Sequence, residues 1–175
     1  MKMADGGYRP GYNVQFATDS TYGVIVGVAM TNSGSDAHQA PAMVRQIERR
    51  TGRKPESYLM DGGFSVREDI TLLEQSGVTV YAPVRQPRSK PVEDRYLPRY
   101  GDTPEVVAWR ERMSTQEAGE MYRLRASLAE WTNAQARLHG VSQFNVRGLS
   151  RGLSSILLVA VVHNLLRWLS WERRA

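Results

Sequence analysis

The stretch Ser57-Tyr58-Leu59-Met60-Asp61-Gly62-Gly63 indicates a short buried strand followed by a carboxylate and two glycines. Open mixed sheets bind ligands beyond the carboxyl ends of their strands, which is where Asp61 would stand. The two glycines would let backbone or substrate approach closely. An ordinary turn uses the same residues, so this stretch by itself leaves a structural and a functional role open.

Two strands and a helix are predicted before this stretch. Apolar residues alternate over 12–18 and are nearly continuous over 23–30, and the polar residues 19–22 between them are typical of a hairpin turn. A helix follows with Met43, Val44 and Ile47 on one face, and Gly52 would end it.

A helix and a strand are predicted after it. Ser65-Val66-Arg67-Glu68 has the form of a capping box, so a helix would begin there and end at Gly77. Residues 78–84 then indicate another buried strand. The order strand, strand, helix, strand, helix, strand predicts an α/β fold, a mixed sheet with covering helices.

The second half of the chain is predicted to be helical after a loop. Prolines and charges make 85–105 a long Pro-rich loop or insertion. A second capping box, Ser114-Thr115-Gln116-Glu117, would open a helix of about 25 residues, and 150–171 indicates a last, mostly apolar helix. The apolar stripe expected to be buried on the long helix is Met121, Leu124, Leu128, Trp131 and Leu138.

Composition narrows the possible functions. The chain has 175 residues and no cysteine, which fits one compact domain and excludes a disulfide scaffold, a cysteine zinc site and a thiol nucleophile. Phosphate loops of the Walker type and serine-hydrolase elbows do not occur in the sequence. The three histidines show no zinc spacing, so local structural roles are expected for them.

The positive charge is concentrated in the last 70 residues. Residues 1–105 carry equal numbers of basic and acidic side chains, whereas 106–175 carry 10 against 5, which accounts for the net charge of +5. Because arginine suits bidentate phosphate contacts, this half points to nucleic acid as a partner, and a solvated basic surface is the alternative.

Glu130 is the second carboxylate of interest. It lies on the predicted long helix at the border of the apolar stripe, with arginines nearby, so a solvated ion-paired face is one interpretation. A strand-end aspartate and a helical glutamate could instead hold Mg²⁺, which takes oxygen ligands. Two such ions would support phosphodiester cleavage, with Asp61 and Glu130 as ligands.

Several segments together resemble the DDE transposases of bacterial insertion sequences. Met1 to Gln15 is similar to the segment that opens the second half of those proteins, and Leu59-Met60-Asp61-Gly62-Gly63-Phe64 resembles their second-aspartate strand. The segments that resemble the glutamate helix and the region after it are Tyr122-Arg123-Leu124-Arg125, Glu130, Asn133 to Arg137, Phe144 to Leu149 and His163-Asn164-Leu165.

The resemblance implies an RNase H-like fold in which two aspartates and a glutamate bind two Mg²⁺ (or Mn²⁺) ions for strand cleavage and joining. Asp61 would be the second aspartate and Glu130 the glutamate. The implied partner is double-stranded DNA at the terminal inverted repeats, with a homodimer possible.

Related transposases carry a Tyr-x2-Arg-x3-Glu-x6-Lys signature, and here the spacing is Tyr122-x2-Arg125-x4-Glu130-x6-Arg137. By resemblance Tyr122 and Arg137 would contact DNA, together with Arg123 and Arg147. Arg125 is not expected beside Glu130, because five residues at about 100° each turn it about 140° away.

The family places the first aspartate on a central strand before a segment like Met1 to Gln15, so the chain as given is expected to lack that strand. Asp5 and Asp19 are poor substitutes, since they lie in a Gly-rich lead-in and a turn. The prediction is a partial RNase H-like catalytic domain over 1–149 with the Pro-rich insertion, and a C-terminal helix, 150–175, packed on it. Little or no strand-transfer activity is expected from it alone.

Three functions remain open at this point. The first is a metal-dependent DNA strand transferase or its C-terminal fragment, and the second is a non-catalytic module that binds DNA or a full-length transposase. A weaker third is a Mg²⁺-dependent phosphohydrolase built around Asp61. No membrane span is expected, because the longest apolar run, Ile156 to Leu166, is shorter than the roughly 20 residues a bilayer requires, so a cytoplasmic protein with a buried C-terminal helix is predicted.

Overall fold

The computed structural model describes residues 7, 11–86, 93–141 and 144–173. It is a mixed α/β structure with two small sheets and several helices. The elements, in chain order, are β1 (Asn13–Thr18), β2 (Ile25–Thr31), α1 (Ala40–Thr51), β3 (Ser57–Leu59), α2 (Arg67–Gln75), β4 (Thr79–Tyr81), a 3₁₀ turn (Glu93–Tyr96), α3 (Pro104–Met113), α4 (Gln116–Ala136), a π turn (Arg137–Val141) and α5 (Leu149–Glu172).

These elements fall into two compact units, each with its own hydrophobic core. Asp36–Ala126 forms the first, which we call the central unit because it comes from the middle of the chain. The described residues within Met1–Ser35 and Ser127–Ala175 form the second, the terminal unit. The early part of α4 therefore belongs to the central unit and its later part to the terminal unit.

In the terminal unit, β1 and β2 form an antiparallel hairpin, as the alternating pattern predicts. The carboxylate of Asp19 accepts hydrogen bonds from the backbone N–H groups of Thr21 (3.1 Å) and Tyr22 (2.7 Å), which fixes the turn. Asp19 thus has a structural role at the hairpin. The other candidate for the first aspartate, Asp5, lies outside the described residues.

One side of helix α5 packs onto β2. Ile156 and Ala160 join Ile25 and Val28 in the terminal core. At the start of this contact a Cβ on Gly152 would lie 2.8 Å from the Sδ atom of Met30. A larger residue there would therefore make the flexible Met30 side chain move.

Two polar side chains of α5 also attach it to the chain around the start of β2. Nε2 of His163, a residue only 3% exposed, bonds to the carbonyl oxygen of Gly23 at 2.9 Å. The Asn164 amide accepts from the Ile25 N–H at 2.7 Å and donates to the Ile25 carbonyl at 2.9 Å. Asn164 thus satisfies both backbone groups of Ile25, as a neighbouring strand would.

The opposite side of α5 is apolar and exposed. Leu158 is 68% exposed, Val161 55% and Trp168 56%, so the prediction of a buried C-terminal helix is wrong for this face. By length and composition α5 is a helix that could cross a membrane, although only 22% of its most apolar window is buried. The sequence analysis predicted this helix nearly in full, over 150–171, but its argument against a membrane span used only the uninterrupted apolar run Ile156 to Leu166.

In the central unit, β3 and β4 pair in parallel and are covered by helices. The core gathers Val44 of α1, Ile70 of α2, Val80 of β4 and Trp109 of α3, all at most 3% exposed. Helix α1 ends at Gly52, whose φ of 70° is the left-handed conformation that favours glycine, in agreement with the sequence prediction.

A buried ion pair joins the loop before α3 to α3 itself. Asp102, with a side chain 1% exposed, accepts from Nε of Arg110 at 2.7 Å and from the backbone N–H of Arg99 at 2.9 Å. Arg110 is itself only 4% exposed and donates a second bond to the Arg95 carbonyl at 2.9 Å. Burial alone would raise the pKa of Asp102, but the bonds from Arg110 and Arg99 outweigh it and lower that pKa.

Both capping boxes are wrong in detail. The Ser65 hydroxyl donates to the Gly62 carbonyl at 2.8 Å, and α2 has no side-chain cap at its first turn. For α4 the cap is Thr115, which accepts from the Ala118 N–H at 3.1 Å, because Ser114 still belongs to the end of α3. The helices begin close to the expected positions, so the errors concern only the capping residues.

The apolar stripe predicted on α4 is wrong at Met121, Leu124 and Leu138, which are exposed, whereas Leu128 and Trp131 are half-buried. Leu124 is 51% exposed and Leu138 77%, whereas Ala118, Thr132 and Ala136 are buried. The Thr132 hydroxyl lies 3.1 Å from that of Thr18 on β1. Small side chains allow close packing where large apolar ones do not fit, so the buried face of α4 is the one with the smaller residues.

The strands of the described residues form two separate two-stranded sheets. The prediction of one mixed sheet joining all four strands is therefore not met in the part of the chain that the structure covers. Each sheet has the strand direction that its connection dictates, since a short turn joins antiparallel strands and a helix joins parallel ones.

Candidate active site around Asp61

Asp61 lies just beyond the carboxyl end of β3, as the sequence predicts. The N–H of Met60 donates to the Tyr81 carbonyl at 3.0 Å, so the pairing with β4 continues to the residue before the aspartate. The Asp61 side chain is 58% exposed, and its Oδ1 atom accepts from the Gly62 N–H at 2.6 Å. The strand thus presents a carboxylate to solvent with one oxygen held by the backbone.

The two glycines after Asp61 allow neighbouring segments to come close. A Cβ on Gly62 would lie 3.3 Å from Cγ of Pro83, and one on Gly63 would lie 3.0 Å from an Asp36 carboxylate oxygen. The Phe64 N–H donates to the Asp61 carbonyl at 3.0 Å and closes a turn. The stretch is therefore a turn and also a close-packed support for the carboxylate.

The second oxygen of Asp61 is paired with a cation from α4. Nη2 of Arg125 lies 3.2 Å from Oδ2 of Asp61, and the Arg125 side chain is 28% exposed. Its guanidinium also lies 6.0 Å from the centre of the Tyr122 ring. Tyr122, Arg125 and Asp61 therefore form one cluster, whereas the sequence analysis gave Arg125 no role because it measured angles from Glu130.

Tyr122 anchors this cluster to the central core. Its ring is half-buried and packs against the core residues of the central unit. Burial raises the pKa of the Tyr122 phenol, with the Asp61 carboxylate acting in the same direction and Arg125 opposing both. The phenol is therefore a neutral hydrogen-bonding group at physiological pH.

The other predicted site residues are exposed. Glu130, Arg123 and Arg137 lie on α4 and the π turn, and Arg147 lies just before α5. Glu130 belongs to the terminal unit and Asp61 to the central unit, so their convergence on one metal site stays a prediction. Arg123 is on the same turn of α4 as Tyr122, while Arg137 and Arg147 belong to the terminal unit.

The chemistry of Asp61 suits a hard divalent cation. A carboxylate supplies the oxygen ligands that Mg²⁺ prefers, and this one is accessible and already pairs with a positive group. Within the described residues no group of three His, Cys, Asp or Glu side chains could hold a metal ion. A role for Asp61 as a metal ligand therefore stays a prediction.

Comparison with known protein families identifies the family of this chain. A model of the transposase DDE domain matches residues 2–135, most of the chain, and this range includes Asp61, Arg125 and Glu130. The chain belongs to the DDE transposase family. Comparison with curated proteins and with solved structures gives no match.

Membership in the transposase family gives the exposed carboxylate a context. These transposases act in DNA transposition and recombination, and they generally use divalent metal ions. The family match ends at residue 135, before Arg137, Arg147 and α5. The interpretation of Arg137, Arg147 and α5 therefore depends on the structure alone.

Sequence reasoning missed the polar residues of α5. His163 and Asn164 occur in an apolar run, and their partners Gly23 and Ile25 lie 140 and 139 residues away along the chain. Nothing in the local pattern of α5 indicates those partners. The only signal was the resemblance of His163-Asn164-Leu165 to the family, which gave the position but no contact.

Proposed function

We propose that this chain is a catalytic part of a DDE transposase that cleaves and joins DNA strands at the ends of an insertion sequence. Asp61 and Glu130 would be two of its metal-binding carboxylates. The observation that carries the proposal is Asp61, an exposed carboxylate at the end of β3, paired with a cation, within the region matched by the family.

The residues around Asp61 support a role in binding a cation. The Gly62 N–H holds Oδ1 in place, and Arg125 neutralises Oδ2. Two bound Mg²⁺ (or Mn²⁺) ions would activate the attacking oxygen and stabilise the leaving one. In this interpretation Arg125 orients the carboxylate, and the metal competes with it for Oδ2.

Removing Arg125 is expected to strengthen Mn²⁺ binding. In the Arg125→Met variant Oδ2 of Asp61 loses its competing cation, so we expect Mn²⁺ affinity to rise several-fold, about 1 kcal/mol for a partly exposed pair. Asp61→Asn should abolish the tighter binding. The measurement is titration calorimetry with Mn²⁺, and Arg45→Met, on an exposed arginine of α1, is the matched control. Unchanged affinity in Arg125→Met would contradict the competition.

The basic residues support DNA as the substrate. Arg123, Arg137 and Arg147 are exposed, and the half of the chain that contains them carries the whole net charge of +5. We propose that they contact the phosphates of double-stranded DNA at the terminal inverted repeats, and that Tyr122 lies beside the strand to be cut. Such contacts release counterions, so binding should weaken steeply as salt is raised.

We further propose that the two small sheets are parts of an RNase H-like sheet whose central strand and first aspartate are not among the described elements. Support comes from the turn role of Asp19, which leaves it unsuited to be the first aspartate. Losing one of three carboxylates weakens metal binding and misplaces the reacting oxygen. The chain by itself is then expected to show little strand transfer.

A second candidate is a non-catalytic module that binds DNA or a full-length transposase. The same absence of a three-ligand group in the described residues, together with the exposed arginines, favours it over catalysis by the chain alone. A Mg²⁺-dependent phosphohydrolase built around Asp61 is a weaker third candidate, since a single described carboxylate supports it.

A nicking assay tests the function. The purified chain is incubated with Mn²⁺ and a duplex that carries the terminal repeat, and we expect DNA retention that falls with salt, with trace nicking at most. Any nicking should disappear in Asp61→Ala and in Glu130→Ala, because each removes a metal ligand. DNA retention without nicking supports the second candidate, and a retention that does not respond to salt would contradict both.

Assembly and location follow from the same proposal. Transposases are typically cytosolic, which agrees with the predicted cytoplasmic location. We propose a homodimer on paired DNA ends, so that each copy acts on one end.

A further inference from the structure

A small cavity in the terminal unit is lined by polar groups that the proposed reaction does not use. It lies among the end of α4, the π turn and α5, and its volume is about 150 Å³. One leucine and six residues with aromatic or polar side chains line it. The six are Trp131, Gln135, His139, His163, Arg167 and Ser170.

Arg167 is held in place from three sides. Its Nε donates to the Tyr22 carbonyl at 2.9 Å, and its guanidinium lies 4.9 Å from the centre of the Trp131 ring. Gly23, with φ at 67°, lies against it, and a Cβ there would be 3.2 Å from both Nε and Nη2. The guanidinium is therefore oriented before any ligand arrives, and its terminal nitrogens bond to no residue that the structure describes.

Other hydrogen-bonding groups of the cavity lack partners as well. Nε2 of His139 is buried and has no hydrogen-bond partner in the described part of the chain. The Gln135 amide and the Ser170 hydroxyl likewise bond to none of the described residues. A buried polar nitrogen without a partner costs free energy, so a ligand or water is expected in front of it.

The lining groups select an anion. Arg167 supplies a permanent positive charge, the Gln135 amide and Ser170 hydroxyl can donate hydrogen bonds, and no carboxylate lines the cavity among the described residues. Arginine presents a planar fork that fits phosphate oxygens. The cavity therefore has the donor set of a site for a tetrahedral oxyanion.

Size and packing favour a phosphate group over a whole nucleotide. At about 150 Å³ the cavity is roomy enough for a phosphate group and smaller than the roughly 300–1,000 Å³ usual for pockets that enclose a whole small molecule. The Trp131 ring cannot stack on a base, because Arg167 lies over it and the His163 ring meets it edge-on at 5.1 Å. A nucleobase would have to displace one of these neighbours.

We propose that this cavity binds a phosphate group, either from the DNA backbone or as free phosphate. That the phosphate comes from DNA rests on the proposed function. The binding of phosphate itself does not, because it is argued from the donor groups and the volume of the cavity. A DNA backbone phosphate in this cavity would be bound in the positively charged half of the chain. Most of the residues that line the cavity lie beyond the family match.

Titration of the full chain with inorganic phosphate at constant ionic strength tests the proposal. We expect saturable binding and a shift of the Trp131 indole resonance in the NMR spectrum. Arg167→Met should weaken phosphate binding roughly tenfold or more, because a charge-assisted bond is lost. Arg151→Met, on the exposed side of the same helix, is the matched control and should bind as the natural chain does.

A second variant protects against a folding artefact, because Arg167 also bonds to Tyr22. Gln135→Leu keeps that bond and should weaken phosphate binding several-fold. Competition by a short duplex assigns the phosphate to DNA, and phosphate binding without competition assigns it to free phosphate. Phosphate binding without any DNA binding contradicts the proposed function but not the cavity site. Absent phosphate binding, or full affinity in both variants, overturns the inference.

Discussion

Replacing Asp102 with alanine is expected to destabilise the central unit by about 3–5 kcal/mol, because it leaves Arg110 buried without its counter-charge. Arg110 is only 4% exposed, so water cannot replace the lost carboxylate. The measurement is urea unfolding of the full chain, with hydrogen exchange of peptides from Asp36–Ala126 to localise the loss.

The same ion pair predicts a dependence on pH. Since the folded state lowers the pKa of Asp102, its stabilisation is present above the unfolded pKa and is lost as the pH falls through the lower folded value. Stability of the central unit should therefore drop below about pH 4. Asp102→Asn should remove that part of the acid dependence.

A matched control separates the buried pair from carboxylates in general. Glu111→Ala removes an exposed acidic side chain from α3, and we expect a change within about 0.5 kcal/mol. If Asp102→Ala and Glu111→Ala unfold at the same urea concentration, the pair does not stabilise the unit as described.

Replacing Asn164 with leucine is expected to release α5 from the start of β2. The substitution removes the partners of both the N–H and the carbonyl of Ile25, a residue only 6% exposed. At about 1–3 kcal/mol for each of the two unsatisfied groups, the loss should be about 2–6 kcal/mol. Hydrogen exchange of peptides covering β2 and α5 is the measurement, and we expect faster exchange in both.

Two further variants test the cause. Asn164→Asp keeps an acceptor for the Ile25 N–H but loses the donor to its carbonyl, so an intermediate loss is expected. Leu165→Asn changes the adjacent, 51% exposed position and should leave exchange in β2 unchanged. Normal protection of β2 in Asn164→Leu would show that the amide does not hold the helix.

Local chemistry allowed much of the fold to be predicted. The hairpin follows from alternation and a polar turn, and the end of α1 follows from Gly52, because both depend on residues a few positions apart. The face of α4 was predicted wrongly because the choice between large and small buried residues is made by the segments that pack on it. Thr132, for example, is buried by contact with Thr18 on β1.

The candidate site likewise has one feature that the sequence predicts and another that it does not. The position of Asp61 at a strand end could be predicted from its own segment. Its pairing with Arg125 could not, because the partner lies 64 residues further along the chain and the helical angle was measured from Glu130 instead. Likewise, the periodicity of α5 shows an apolar helix but not that Asn164 would serve as a substitute strand for Ile25.

The assembly of the terminal unit from both ends of the chain has a consequence for biosynthesis. The β1–β2 hairpin is synthesised before the central unit, whereas its covering helix α5 is synthesised after it. The 141 residues after Thr31 up to Glu172 take about 7–28 s at about 5–20 residues per second, and the hairpin waits that long for the complete helix. A two-stranded hairpin is only marginally stable in water, so chaperones or neighbouring nascent chains have time to reach its apolar face, whereas the central unit can fold before α5 is made.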